Sequence, residues 1–245
     1  MLSNLFYAIF ALYFLLLTFS IIGSRIIELV TCMGAALFNL FVLVYMYHCS
    51  GNLPVFNIFE SFLLISFIIC LAGLLVLFRG DFSEKVRRWV WLEIIILFMI
   101  TSFFPKETSL SVYDHGYVYV VLFHAFRCIA LALMLFSTAW FTQFIIQREM
   151  NERTSMLAHA GRNYLLLAAV FYLMGEYVGI IWCQKGWGDF WMWSQAFLQS
   201  TLVVLYLMLA FHIPGKGRRS EDIRCLIGGF SSIFFLSLAV MRSLY

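Results

Sequence analysis

A helix that crosses a membrane needs about 20 apolar residues, each rising 1.5 Å. Eight runs in this chain qualify: Leu2–Gly23, Thr31–Tyr47, Ile58–Phe78, Trp89–Phe104, Tyr117–Ile146, Tyr164–Cys183, Ser194–Phe211 and Arg224–Leu244. In lipid every backbone polar group must be satisfied within its own segment or in a closed barrel, so apolar runs of this length become helices. The predicted fold is an all-α integral membrane protein, a single bundle of about eight transmembrane helices. The connections are too short for an extramembrane domain, so residues 1–245 read as one domain. Composition excludes a soluble alternative: 63% of the residues are hydrophobic and 12% are charged, against about 25% charged in soluble domains. No soluble fold of this size could hide so much apolar surface. The first run begins at Leu2 with no basic stretch before it, and it is long enough to span, so it reads as a span and not as a cleavable signal. The fifth run exceeds a span, which predicts a tilted or extended helix.

The basic residues alternate from one connection to the next. Arg25 follows the first run. Arg79, Lys85, Arg87 and Arg88 follow the third, and Arg148, Arg153 and Arg162 the fifth. Lys216, Arg218, Arg219 and Arg224 surround the turn after the seventh. The other connections carry only Lys106 and Lys185. By the positive-inside rule the basic connections are cytoplasmic, which puts both termini on the outer side. The segment Trp182–Ser194, between the sixth and seventh runs, is then also outside.

That segment holds four of the seven tryptophans, Trp182, Trp187, Trp191 and Trp193, in thirteen residues. Trp89, Trp91 and Trp140 fit an ordinary interfacial belt, but this cluster is denser than a belt requires. If residues 187–194 are helical, Trp187, Phe190, Trp191 and Ser194 share one face. Such a face is an apolar platform along the interface. It suits a flat ring with a polar edge: porphyrin fits, and a quinone headgroup fits less well.

Polar residues inside the spans are the informative exceptions, because a charge at mid-bilayer costs at least ~2.5 kcal/mol. His124 and Arg127 are three residues apart in the fifth run and share a helix face. His124 lies roughly 10 Å in from the outer boundary at 1.5 Å per residue. Glu60 and Glu176 fall in the outer halves of the third and sixth runs. Two readings stand side by side. In one, Arg127 pairs with Glu60 or Glu176 to hold the bundle and His124 bonds a carbonyl. In the other, His124 is a metal or haem-iron ligand and Arg127 neutralises a haem propionate. His212 ends the seventh run, about 27 Å from Ser194 along a helix, so it cannot share one haem with His124. It is an ordinary helix-end histidine or a separate cytoplasmic-side station. His48, near the outer end of the second run, could join His124 in a bis-histidine haem. His115 falls in an outer loop and His159 in a cytoplasmic one.

Gly175 and Gly179 form a Gly-xxx-Gly pair that allows close helix contact. The six cysteines lack metal spacing and read mostly as small buried hydrophobes. Cys49 and Cys183 both fall on the outer side, where a disulfide would require their backbones to approach. No catalytic triad or phosphate loop is present, and the basic loops lack the aromatic interleaving of a nucleic-acid surface.

The pattern Trp182-x4-Trp187-Gly188-x2-Trp191-x-Trp193 resembles the tryptophan-rich signature of the haem-handling proteins of cytochrome c biogenesis, most closely the CcsA type of system II. Three further matches lie in the same order, over about 160 residues. Pro54-x2-Asn57-x2-Glu60-Ser61 is similar to that type's Pro-x-x-Asn-x-x-Glu-Ser stretch. His124 stands where the family has an outer-side haem-ligand histidine, and His212 where it has one at the inner end of the following helix. Two positions depart from the pattern. Ser194 stands where the family carries Asp, and Arg242 lies nearest to where the family has a second outer histidine. The resemblance implies transport of haem (haem b) and its presentation to apocytochrome c for covalent attachment to Cys-x-x-Cys-His. His124 would hold the iron, Trp182, Trp187, Gly188, Trp191 and Trp193 the ring, and His212 an entry station. It implies a CcsB (ResB)-type membrane subunit, a thioredoxin-like thiol reductant as partners, and a bacterial inner membrane with the tryptophans on the periplasmic side. The chain would be a component of a cytochrome c haem lyase. A HemX-like regulator of haem synthesis, or a haem b electron-transfer subunit using His48 and His124, are the alternatives.

Overall fold

The computed structural model describes residues 1–78, 84–108, 118–147, 152–187, 195–214 and 217–244. Among these residues it is all-helical, with eight helices and no strand: α1 (Leu2–Ile22), α2 (Arg25–Ser50), α3 (Ile58–Phe78), α4 (Glu84–Thr101), α5 (Val118–Ile146), α6 (Glu152–Trp187), α7 (Gln195–His212) and α8 (Arg218–Leu244). Each apolar run of the sequence overlaps one helix. Six helices are long and apolar enough to cross a membrane: α1, α2, α3, α5, α6 and α8. In α7 the described apolar part is Leu198–His212, shorter than a full span. In α4 the first turns carry Glu84, Lys85, Arg87 and Arg88, and Glu93 follows.

Four helices begin earlier than hydropathy suggests. α2 starts at Arg25, α4 at Glu84, α6 at Glu152 and α8 at Arg218, because polar residues continue a helix where a hydropathy window sees only a loop. His159 is therefore an exposed residue of α6, not of a cytoplasmic loop.

The helices group into two compact units, Met1–Tyr113 and Asp114–Tyr245. In the first, α1 packs on α4 through aromatic rings. Phe98 lies 5.1 Å from Phe6, 5.7 Å from Phe10 and 5.3 Å from Tyr13. The Asn39 amide donates to the Tyr13 hydroxyl (3.0 Å) and to the Leu63 carbonyl (3.3 Å), tying α1, α2 and α3 together inside the core. Near the other end Glu28 of α2 accepts from Arg87 Nε (3.1 Å), Arg87 Nη2 (3.0 Å) and Trp91 Nε1 (2.9 Å). Both ionised side chains are buried, 1% and 4% exposed. Trp91 packs against Gly73 of α3, where a Cβ would come within 2.4 Å of the indole. Trp91 (1% exposed) and Trp140 (4%) are thus core residues, not members of an interfacial belt. Gly73 makes room for Trp91, while Trp140 packs against Phe136 and Tyr164.

The second unit is organised by glycines. Phe141 of α5 is wedged between Gly161 of α6 and Gly228 of α8, and a Cβ at either would stand 2.7 Å from its ring. The Ser137 hydroxyl donates to the Gly161 carbonyl (2.7 Å), and Thr138 donates to the Gly229 carbonyl (2.9 Å). Further along α6, Gly175 and Gly179 face Phe126 and Phe123 of α5, with would-be Cβ contacts of 3.4 and 2.9 Å. The Gly-xxx-Gly pair makes the close helix contact that its spacing predicts.

Candidate functional site

The polar residues of the second unit meet where the first turns of α5 run beside the last turns of α6. His124 and Arg127 are three positions apart, so both side chains leave α5 on one side. Because Gly175 and Gly179 bring the α6 backbone close, the Arg127 side chain lies over α6 and meets Glu176. Arg127 Nε donates to Glu176 Oε1 at 3.2 Å, and Nη2 donates to the same oxygen. Nη2 also donates to Ser200 Oγ of α7 at 2.6 Å. The guanidinium stacks on Phe123, 4.2 Å from the ring centre, with Tyr172 at 5.6 Å. The pair is largely enclosed, with side chains 17% and 11% exposed. Of the two partners the sequence offers for Arg127, the structure assigns Glu176.

Phe123 connects this cluster to the aromatic residues. Its ring meets the His124 imidazole edge-on at 5.2 Å and lies 6.0 Å from the Trp182 indole. Trp182 sits in the last turns of α6, so the start of the tryptophan segment continues that helix and is not a separate loop. His124 is half-buried, and so is Trp182. The backbone of Trp187 ends α6. Gly188, Trp191, Trp193 and Ser194 lie outside the described residues, and with them most of the predicted platform. His115 lies outside them too, as does the side chain of Arg242.

The other predicted residues fall elsewhere. Glu60 belongs to the first unit and starts α3. Asn57 Oδ1 accepts from Glu60 N (2.7 Å), while Glu60 Oε2 accepts from the backbone N–H groups of Phe56 (3.1 Å) and Asn57 (3.4 Å). This reciprocal arrangement is a capping box. Ser61 Oγ donates to the Val55 carbonyl at 2.8 Å and closes the turn. The Pro54-x2-Asn57-x2-Glu60-Ser61 stretch therefore has a local structural use. His48 is exposed in the last turn of α2.

His212 is exposed at the end of α7, with Nδ1 2.7 Å from the Met208 carbonyl oxygen. A carbonyl oxygen only accepts, so Nδ1 donates there, and Nε2 takes no part in that bond. All six cysteines are free thiols, Cys49 and Cys183 included. Among the described residues no three His, Cys, Asp or Glu side chains converge as a metal site. An iron already held by a porphyrin needs only axial ligands.

Chemically, the α5–α6 cluster offers a half-exposed imidazole, a guanidinium a turn away and aromatic faces beside both. That donor set fits an iron porphyrin: a nitrogen for the metal, a cation for an acidic edge, and flat apolar rings for the macrocycle. Phe126, Val170, Leu173, Met174, Tyr177 and Val178 line a separate apolar groove of about 360 Å³ on the α5–α6 surface, which contains none of the predicted site residues. Sequence reasoning missed Phe123 and Ser200. Phe123 has no signal in an apolar run, and Ser200 is an unremarkable hydroxyl until Arg127 reaches it. No family model matches the chain, and no curated protein matches it.

Proposed function

We propose that this chain is a haem-handling membrane protein of cytochrome c assembly. It transports haem b and presents it on the outer side of a bacterial inner membrane for covalent attachment to an apocytochrome. One observation carries the reading: the Phe123 ring of α5 lies 5.2 Å from the His124 ring, 4.2 Å from the Arg127 guanidinium and 6.0 Å from the indole of Trp182, which opens the tryptophan-rich segment.

In this reading all eight helices cross the bilayer, with both termini outside. Haem is the cargo. Its iron is held by His124, and its ring lies against Trp182 and the following Trp187, Gly188, Trp191 and Trp193. Its acidic edge faces Arg127. His212 serves as an inner-side station where haem enters. Thioether formation uses the thiols of the apocytochrome's Cys-x-x-Cys-His segment, kept reduced by a thioredoxin-like partner. The chain's own residues bind the cargo, orient it and exclude water, which lowers the entropic part of the barrier. A CcsB (ResB)-type membrane subunit completes the assembly.

The test is reconstitution in a host deficient in cytochrome c maturation, with and without a CcsB-type subunit, scoring covalent haem on a reporter cytochrome. Covalent product that needs this chain supports the reading. Stable haem binding without covalent product, with the partner present, would remove the lyase role and leave a HemX-like regulator.

A further inference from the structure

Arg127 is an incompletely used cation. A guanidinium has five N–H donors. Nε donates to Glu176 Oε1, and Nη2 donates to that same oxygen and to Ser200 Oγ. Nη1 makes no hydrogen bond among the described residues. The side chain is 17% exposed, and Nη1 is not among the buried atoms that lack a partner. This arrangement suits a cation that is shared between a permanent partner and an exchangeable one.

We infer that Arg127 Nη1 receives a carboxylate of the cargo, and that Glu176, holding the same guanidinium, keeps that hold weak enough for release. The inference rests on the haem reading of His124 and adds what governs the affinity of the site. The charges decide the sign. With Glu176 alone the pair is neutral. A cargo carboxylate at Nη1 gives two negative charges around one positive charge, and at the effective dielectric of a partly buried site their repulsion is substantial. A carrier has to bind its cargo and also let it go, so maximal affinity is not what such a site needs. Ser200 contributes in the same direction by occupying Nη2, and its place on α7 ties the cation to that helix.

The experiment uses the full-length chain in detergent, stripped of haem, and titrates it with haemin and with haemin dimethyl ester, which lacks the two carboxylates. The absorbance of the bound porphyrin gives both dissociation constants. Wild type should prefer haemin, and Arg127→Gln should abolish that preference. Glu176→Gln keeps the shape of the side chain and removes its charge; it should tighten haemin about tenfold and leave the ester unchanged. Ser200→Ala should tighten haemin by a smaller factor, and it serves as the second variant if Glu176→Gln fails to fold. Haemin binding weakened by Glu176→Gln, or haemin and ester shifted equally, overturns the inference while the haem reading stands. Failure of wild type to bind either porphyrin overturns both.

Discussion

Replacing Arg87 by Met tests the buried ion pair of the first unit. Glu28 accepts three hydrogen bonds there, two from Arg87 and one from Trp91, and is 1% exposed. Without Arg87 its carboxylate keeps one donor and no compensating charge. Breaking a buried pair from one side costs about 3–5 kcal/mol. At about 2–4 °C per kcal/mol for a chain of this size, the midpoint of thermal unfolding should fall by roughly 10 °C. Glu28→Met strands the guanidinium instead and should cost a similar amount. The double variant removes both charges and leaves only the Trp91 N–H without its acceptor, a loss of about 1–3 kcal/mol. It should therefore be more stable than the sum of the single losses, with a coupling of at least about 2 kcal/mol. A fluorogenic maleimide reads the transition in a background where Cys49, Cys128, Cys183 and Cys225 are replaced by Ala, because Cys32 and Cys70 are buried in the same unit and react only on unfolding. An Arg87→Met loss below about 1 kcal/mol, or additive single losses, would refute this account of the pair.

Two further predictions concern packing and orientation. Gly179→Val places a Cβ within 2.9 Å of the Phe123 ring, so it should cost about 1–3 kcal/mol by overpacking and lower haem occupancy. Gly175→Ala, whose nearest contact would be 3.4 Å, should change unfolding by less than about 1 kcal/mol. Equal effects of the two would show that the α5–α6 contact does not position the site. Cys49 is exposed beside His48 at the end of α2, so a membrane-impermeant maleimide should label it in intact spheroplasts of a Cys183→Ser variant. Labelling only after permeabilisation would reverse the proposed orientation.

Hydropathy carried most of the fold, because in lipid an apolar run of sufficient length has only the helix open to it. The starts of α2, α4, α6 and α8 escaped it, since polar turns extend a helix without any hydropathy signal. Pairing across the fold was legible only where spacing encodes it. The i, i+3 relation put His124 and Arg127 on one side of α5, and the i, i+4 glycines of α6 marked a close contact. The choice of Glu176 over Glu60 was not legible, because it depends on which helix those glycines face. Arg87 was counted among the basic residues of a connection, but it lies in α4, and its partner Glu28 is 59 residues away in sequence. Asn57 and Glu60 were noticed for their place in a motif, while the structure gives them a capping box, a use visible in the Asn-x-x-Glu spacing itself.

Haem occupancy of three purified proteins tests the central claim most directly: wild type, His124→Ala and His48→Ala, each scored by its Soret band and by extracted haem per polypeptide. The account predicts that wild type copurifies with haem, that His124→Ala loses most of it, and that His48→Ala matches wild type. Unchanged occupancy in His124→Ala would contradict the account. Equal loss from His48→Ala would point instead to a bis-histidine electron-transfer haem.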